Sequence, residues 1–266
     1  MPEGPEVTVI AEQLSKIWSG YNLSNINILT KKNYAINNVM MKIKAGIKLP
    51  IKLIDVGKKG KYIYFWFSGD IIIGSSLGLS GHYSLNKLDN SLIEFVFSNK
   101  SLYYNDVRHF GIFQLLTLKL LNEKLDKIGP DILTSSIRPH ETKYLERDVS
   151  SADKFVAKAK KYQLKQIVQI LVDQKIISGI GNYLKSEILY KAKIYPGKII
   201  KQLSAVTLIH IYETAKMISN NSLQLGGVSI RDYKDVYGKL GKYQPIIYGK
   251  KKVNDKDVIK KTFKDP

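Results

Sequence analysis

The chain opens Met1-Pro2-Glu3-Gly4-Pro5-Glu6. Removal of Met1, expected before a small second residue, leaves Pro2 with a free secondary α-amine. An α-amine titrates near about 7.7–8.0, against about 10.4 for lysine, so a useful fraction is unprotonated at neutral pH. Such an amine is a ready nucleophile. Its attack on a sugar C1′ gives a covalent iminium, and a neighbouring carboxyl such as Glu3 can donate and accept the protons. The same residues also suit a helix start, where Pro and Glu are favoured.

Three further segments could serve that chemistry. Lys58-Lys59-Gly60-Lys61-Tyr62 reads as a turn entering a strand, which would project Lys61 from a fixed platform towards an anion or sugar, or else as a solvated basic turn. Leu77-Gly78-Leu79-Ser80-Gly81 displays an apolar side chain among small residues, and Asp106-Val107-Arg108-His109-Phe110-Gly111 displays a cation and an aromatic. Either could be a plain β-turn. Together they supply apolar wedges and an arginine, the means of opening a duplex and satisfying the base left behind. Ser178-Gly179-Ile180-Gly181-Asn182-Tyr183 lies between helical patterns, so the N–H groups around Gly179 and Gly181 and the following helix N-terminus suit a phosphate. A third glycine and a preceding strand are missing, which excludes a dinucleotide fingerprint.

The elements that must hold these residues follow from periodicity. Val7, Ile10, Leu14 and Ile17 recur at helical spacing up to Gly20. Strand-like runs follow at Ser24–Leu29, Ile51–Val56, Tyr62–Phe67, Ile71–Ser75, Leu92–Phe97 and Leu102–Tyr104, a density that predicts a β-sandwich or barrel. Gly129-Pro130-Asp131 ends that region, and residues 134–151 read as a linker. The period then becomes helical: Ile167, Ile170 and Leu171; Ile188 and Leu189; Val206, Ile209, Ile211, Ala215 and Ile218. Beyond Gly226-Gly227, the stretch from Gln244 to Lys264 alternates Lys with Ile and Val around Asn254-Asp255, which suggests a basic β-hairpin. The expected class is α+β. Its divisions are an N-terminal helix and β-sandwich over residues 1–133, a helical domain over 134–226, and a hairpin region over 227–266.

Composition narrows the partner. Lys+Arg at 42 against Asp+Glu at 23 leaves a net charge of +19, which favours a polyanion, nucleic acid first and an anionic membrane surface second. Only Arg108, Arg138, Arg147 and Arg231 are arginine, so part of the excess is a lysine bias of composition. The absence of cysteine excludes disulfides, thiol nucleophiles and cysteine-based metal sites, and the four histidines show no ligand spacing. No metal site is expected. Glu3 and Glu6 stand where a signal peptide would be basic, and no apolar run reaches membrane-span length, so an intracellular soluble protein is expected.

In their order and contexts, PEGPEV, GKKGKY, GLSG, NDVRHFG, SGIGNYLKSEILYKAKIYPG and GGVSIRDY followed by VYGK resemble the formamidopyrimidine-DNA glycosylase and endonuclease VIII family, over nearly the whole chain. The resemblance implies a bifunctional DNA glycosylase and abasic-site lyase without a diffusible cofactor, acting as a monomer on double-stranded DNA that carries oxidised bases or abasic sites, or on single-stranded DNA. It implies Pro2 as nucleophile, Glu3 as proton donor and acceptor, Lys61 as the essential lysine, and Glu6 as a second carboxylate of the motif. Leu79, Arg108 and Phe110 would fill the void left by a flipped nucleotide, Leu79 standing for the family's usual Met. Asn182 would bind phosphate from a helix-two-turn-helix element, and Glu187 would support structure.

Two departures stand out. The family's four-cysteine zinc finger has no counterpart here, so a zincless hairpin is expected in its place. The finger's arginine is missing too, since no arginine follows Arg231, and Lys260 or Lys261 would have to substitute. Gly4 and the short segment between Gly227 and Tyr237 lean towards oxidised pyrimidines, hydantoins and ring-opened lesions over 8-oxoguanine. A purine-directed enzyme is the alternative reading. Competing classes are a non-catalytic binder of damaged DNA with the same fold, and a basic RNA- or membrane-associated protein to which Pro2 and Glu3 are dispensable.

Overall fold

The structure, a computed structural model, describes residues 2–30, 35–98, 100–133, 150–230, 233–254 and 256–259. The predicted linker therefore falls almost wholly outside the described residues, as do Lys260 and Lys261.

Helix α1 (Gly4–Trp18) starts where Glu6 accepts the Glu3 backbone N–H at 2.8 Å, a capping contact from the third helical position. Its buried stripe of Val7, Ile10, Leu14 and Trp18 faces the sandwich, with Trp18 stacked on Phe97 at 4.7 Å. Eight antiparallel strands follow: β1 (Asn22–Ile28), β2 (Ile51–Lys59), β3 (Tyr62–Phe67), β4 (Ile71–Ser76), β5 (His82–Ser84), β6 (Ser91–Phe97), β7 (Lys100–Asn105) and β8 (Ile112–Thr117), in spatial order β5-β7-β6-β1-β2-β3-β4-β8. The pairing of β1 with β2 is short, Asn22↔Lys52 and Leu23↔Ile51, so the strands divide there into two four-stranded layers closing on one apolar core. The six predicted runs all lie on strands. Two helices join this half without having been expected: α2 (Ala35–Ala45), which buries Ile36, Met40 and Ile43, and α3 (Leu118–Lys127), which lays Leu121 and Leu125 over Tyr62, Tyr64 and Ile72.

The second half comprises α4 (Ala152–Ala159), α5 (Ile167–Val172), α6 (Asn182–Lys191) and α7 (Ala205–Gln224). On α7 the inward face differs from the expected one. Leu208, Ile211, Tyr212, Ala215 and Ile218 share the buried face, whereas Val206, 75% exposed, and the exposed Ile209 lie on the opposite side of the helix. Beyond Gly227 the described residues form no helix or strand before a two-residue hairpin, β9 (Lys252–Val253) with β10 (Lys256–Asp257), which turns at the predicted Asn254. No helix among the described residues is long and apolar enough to cross a membrane.

Candidate active site

The chain's first residues are sewn into the turn that precedes α6. Gly4 N–H donates to the Gly179 carbonyl at 2.7 Å. Glu3 is buried, and its carboxylate accepts from the N–H groups of Gly181 at 2.6 Å, Tyr183 at 2.9 Å and Leu184 at 3.2 Å. Glu3 thus occupies the N-terminus of α6. The turn of Gly179 and Gly181 differs here from the expected phosphate cradle: Gly181 N–H is engaged by Glu3, and Gly179 N–H donates to Gln174 Oε1 at 3.0 Å. The glycines serve instead to admit Glu3 and Lys61. A Cβ on Gly181 would stand 2.4 Å from Glu3 Cδ and 2.5 Å from Lys61 Nζ.

Lys61 itself lies in the turn between β2 and β3 and is only half-exposed, so the solvated-turn alternative does not describe it. The turn is held across the cleft by Asp131, whose Oδ2 accepts from Gly60 N–H and from Lys58 Nζ, both at 2.7 Å, while Oδ1 accepts from Leu133 N–H at 3.0 Å. Gly60 has φ 56 and packs directly on Ser178, with no room for a Cβ.

Electrostatics set the two groups up for proton transfer. Burial raises the Glu3 carboxyl to about 7, an effect larger than the opposing pull of the Lys61 ammonium. Burial likewise lowers Lys61, with Glu3 pulling the other way. Glu6, beneath them, is also raised by burial. It accepts from the Glu3 N–H, from Tyr183 Oη at 2.9 Å and from Val228 N–H at 2.9 Å, tying α1 to α6 and to the Gly227 segment.

Two cavities meet at Leu79. One, about 400 Å³ and mostly apolar, is lined by Pro2, Lys61, Leu77, Gly78 and Leu79 among others. The other, about 140 Å³, is lined by Glu3, Leu79, Arg108, Asn182, Tyr183, Ile230 and Tyr248. Pro2, Glu3, Lys61, Leu79, Arg108 and Asn182 are thereby brought to one place. Phe110 projects beside them, 58% exposed, where a large apolar side chain gains nothing from the fold.

Three residues important to this arrangement escaped the reading of the sequence as anything but context or generic support. Fully buried Asp106 fastens the two wedge loops together: Oδ1 accepts from Ser80 Oγ at 2.5 Å and Arg108 N–H at 3.2 Å, and Oδ2 from Gly111 N–H at 2.7 Å. Asp131 fixes the Lys61 turn. Buried Glu187 on α6 accepts from the N–H groups of Ile246, Ile247 and Tyr248 at 2.7, 2.9 and 2.8 Å, anchoring the segment that leads to the hairpin. Carboxylates in Asn-Asp, Pro-Asp and Ser-Glu contexts were the available signal, but their partners are backbone amides that leave no trace in sequence.

The architecture is that of a known fold: MutM (Fpg) from Thermus thermophilus superposes with a TM-score of 0.77 at 21% identity, covering 93% of this chain and 87% of that one. A Lactococcus lactis Fpg solved with abasic-site DNA matches with a TM-score of 0.75 at 27% identity over 90% of this chain and 84% of that chain. Residues 1–113 match the formamidopyrimidine-DNA glycosylase N-terminal domain, and residues 146–234 match the formamidopyrimidine-DNA glycosylase H2TH domain. Proteins named formamidopyrimidine-DNA glycosylase are similar along their length: that of Streptococcus agalactiae serotype III (strain NEM316) is 30% identical over 94% of this chain and 89% of its own, and that of Ligilactobacillus salivarius 29% over 96% and 89%. The chain belongs to the formamidopyrimidine-DNA glycosylase and endonuclease VIII family.

The residues present do not supply the four cysteines that the family resemblance implies for a zinc finger. No cysteine is available, no cluster of His, Asp and Glu suited to a metal occurs among the described residues, and Glu187 meets the amides at the base of the tail directly.

Proposed function

We propose that the protein is a bifunctional DNA glycosylase and abasic-site lyase of base excision repair that acts on ring-opened purines. The observation that carries this reading is the juxtaposition of buried Pro2 with Glu3, raised to about 7, and with Lys61, at the meeting of two cavities. With Met1 removed, the Pro2 nitrogen attacks C1′ of a flipped nucleotide, and the glycosidic C–N bond breaks with its electron pair leaving on the base. Neutral Glu3 protonates the ring oxygen as the sugar opens to the iminium. Loss of a C2′ proton expels the 3′ phosphate, a second elimination expels the 5′ phosphate, and water releases Pro2. Leu79, Arg108 and Phe110 fill the gap in the stack, and the C-terminal hairpin takes the finger's place without metal.

The lesion class is the point at which the comparisons shift the balance. The similar proteins carry the formamidopyrimidine name, and one solved neighbour, an LlFpg 26% identical with a TM-score of 0.78, is bound to N7-benzyl-Fapy-dG DNA. These matches favour the purine-directed alternative over the endonuclease VIII-like preference expected from Gly4 and the short loop. Ring-opened purines satisfy both.

Borohydride trapping on an abasic-site oligonucleotide tests the chemistry: a covalent adduct lost when the terminal amine is chemically blocked is expected, and an adduct that persists with a verified blocked terminus would remove the nucleophile assignment. Excision from formamidopyrimidine-containing DNA should exceed excision from thymine-glycol DNA, and the reverse order would restore the endonuclease VIII-like reading.

A further inference from the structure

The helical wall carries a cation that the mechanism above leaves unused. Lys185 lies in the first turn of α6, half-buried, and its Nζ donates to Asn182 Oδ1 at 3.0 Å, while Asn182 lines the 140 Å³ pocket with Glu3 and Arg108. The placement is unfavourable in the free protein. The N-terminal turn is the positive end of the helix dipole, where a lysine is disfavoured. Lys185 also forms no ion pair among the described residues, and it is close enough to Lys61 for the two ammonium groups to repel. Glu3 attracts it but does not pair with it, since the Glu3 oxygens are taken by the Gly181, Tyr183 and Leu184 amides. Lys61 is drawn by both Glu3 and Glu6 and Lys185 by Glu3 alone, and the oxygens of both carboxylates are already taken by amides and by Tyr183 Oη, so Lys185 is left without an ion-pair partner among the described residues. The Gly179, Gly181, Tyr183 and Leu184 amides are engaged as well, so side chains must supply much of the contact to an anion arriving there.

We propose that Lys185, together with Asn182, binds a backbone phosphate of the DNA strand beside the flipped nucleotide. The identity of the ligand rests on the glycosylase reading. Lys185 supplies the cation from the same helix turn that carries Asn182. The lysine acts as a point charge, oriented by Asn182, and binding relieves its repulsion with Lys61.

The test uses the full chain and a duplex with a tetrahydrofuran abasic analogue, titrated over a range of KCl concentrations. Lys185→Ala suits the helix and removes an adverse charge, so the variant should melt at or above the wild-type temperature. Its affinity should fall roughly ten-fold near 0.1 M salt, and the slope of log K against log salt should shrink by about 0.9, the loss of one phosphate contact. Lys185→Arg should restore most of both. Lys52, exposed at the far end of β2 and roughly 25 Å along the strand from the Lys61 turn, serves as control, and Lys52→Ala should leave the slope unchanged. An unchanged slope in folded Lys185→Ala overturns the proposal, and so does an equal loss in Lys52→Ala. Borohydride trapping of the wild type is scored separately. Binding without trapping defeats the glycosylase reading while the slope still decides Lys185, and a wild type that does not bind the duplex defeats both.

Discussion

The two walls of the cleft rest on different frameworks, although both pin their functional segments with buried carboxylates, Asp106 and Asp131 on the sandwich side. On the sandwich side the framework is apolar: eight strands close over one core, and Lys61, Leu79, Arg108 and Phe110 sit on turns between strands whose registers are fixed by that core. On the helical side the parts nearest the chemistry are held by buried carboxylates that accept backbone amides, Glu3 and Glu6 around α6 and Glu187 at the tail. The sandwich tolerates loss of any one contact because many others share the load. The carboxylate joints are single points, each binding segments far apart in sequence.

That contrast predicts where substitution does most damage. Gly181→Ala, at the joint itself, pushes a methyl between Glu3 and Lys61, and single-turnover strand cleavage should fall by at least about 10²-fold, the scale of a 1 Å misplacement of reacting groups. A near-normal rate would mean that the joint is plastic. Glu187→Ala leaves three amide donors without their acceptor, and denaturant unfolding should register a loss of about 3 kcal/mol or more. If stability were unchanged, the tail would be held by its aromatic contacts instead.

On the sandwich wall the effects should be smaller and more selective. Asp106→Asn loosens the two wedge loops but leaves the core intact, so excision from duplex DNA should drop about ten-fold, equivalent to about 1.4 kcal/mol, with little change in melting temperature. Phe110→Ala should slow excision from duplexes by a few-fold and spare cleavage at an existing abasic site; equal losses on both substrates would argue against a wedge. The pH profile comes last. The Pro2 amine must be neutral and Glu3 protonated, so kcat/KM should follow a bell whose maximum lies between about 7 and the amine's own titration, falling at higher pH where Glu3 is ionised and at lower pH where the amine is protonated. Because the folded-state pKa of Glu3 lies above the unfolded value, its protonated form stabilises the fold at low pH. That contribution is lost as pH rises from about 4.5 through about 7. Calorimetry across that window checks the sign, and Glu3→Gln should flatten the curve.

The same contrast explains what could be read from the residues alone. Tyr62–Phe67 was legible to the residue, and the α1 stripe at Val7, Ile10 and Leu14 is the one buried, because periodic burial writes itself into local pattern. Helix α2 was missed since Asn37, Asn38 and Lys42 interrupt a stripe carried only by Ile36, Met40 and Ile43, and β8 because its exposed Ile112 and Leu115 give no clean alternation. Pro2, Glu3 and Lys61 could be picked out by their motifs, and their convergence follows from a shared fold. The roles of Asp106, Asp131 and the amides of Gly181 and Tyr183 could not be, since a backbone amide is the same at every residue and its partner lies up to 180 positions away.

That separation also bears on when the proposed site is assembled. The Pro2 amine is among the first groups to leave the ribosome, yet the carboxyl that must serve it is positioned by Gly181, Tyr183 and Leu184, and those residues emerge only after two thirds of the chain has been made. A nascent or prematurely terminated chain ending before α6 holds the nucleophile without its proton donor in place. Translation order therefore leaves the proposed lyase site incomplete until both walls of the cleft exist.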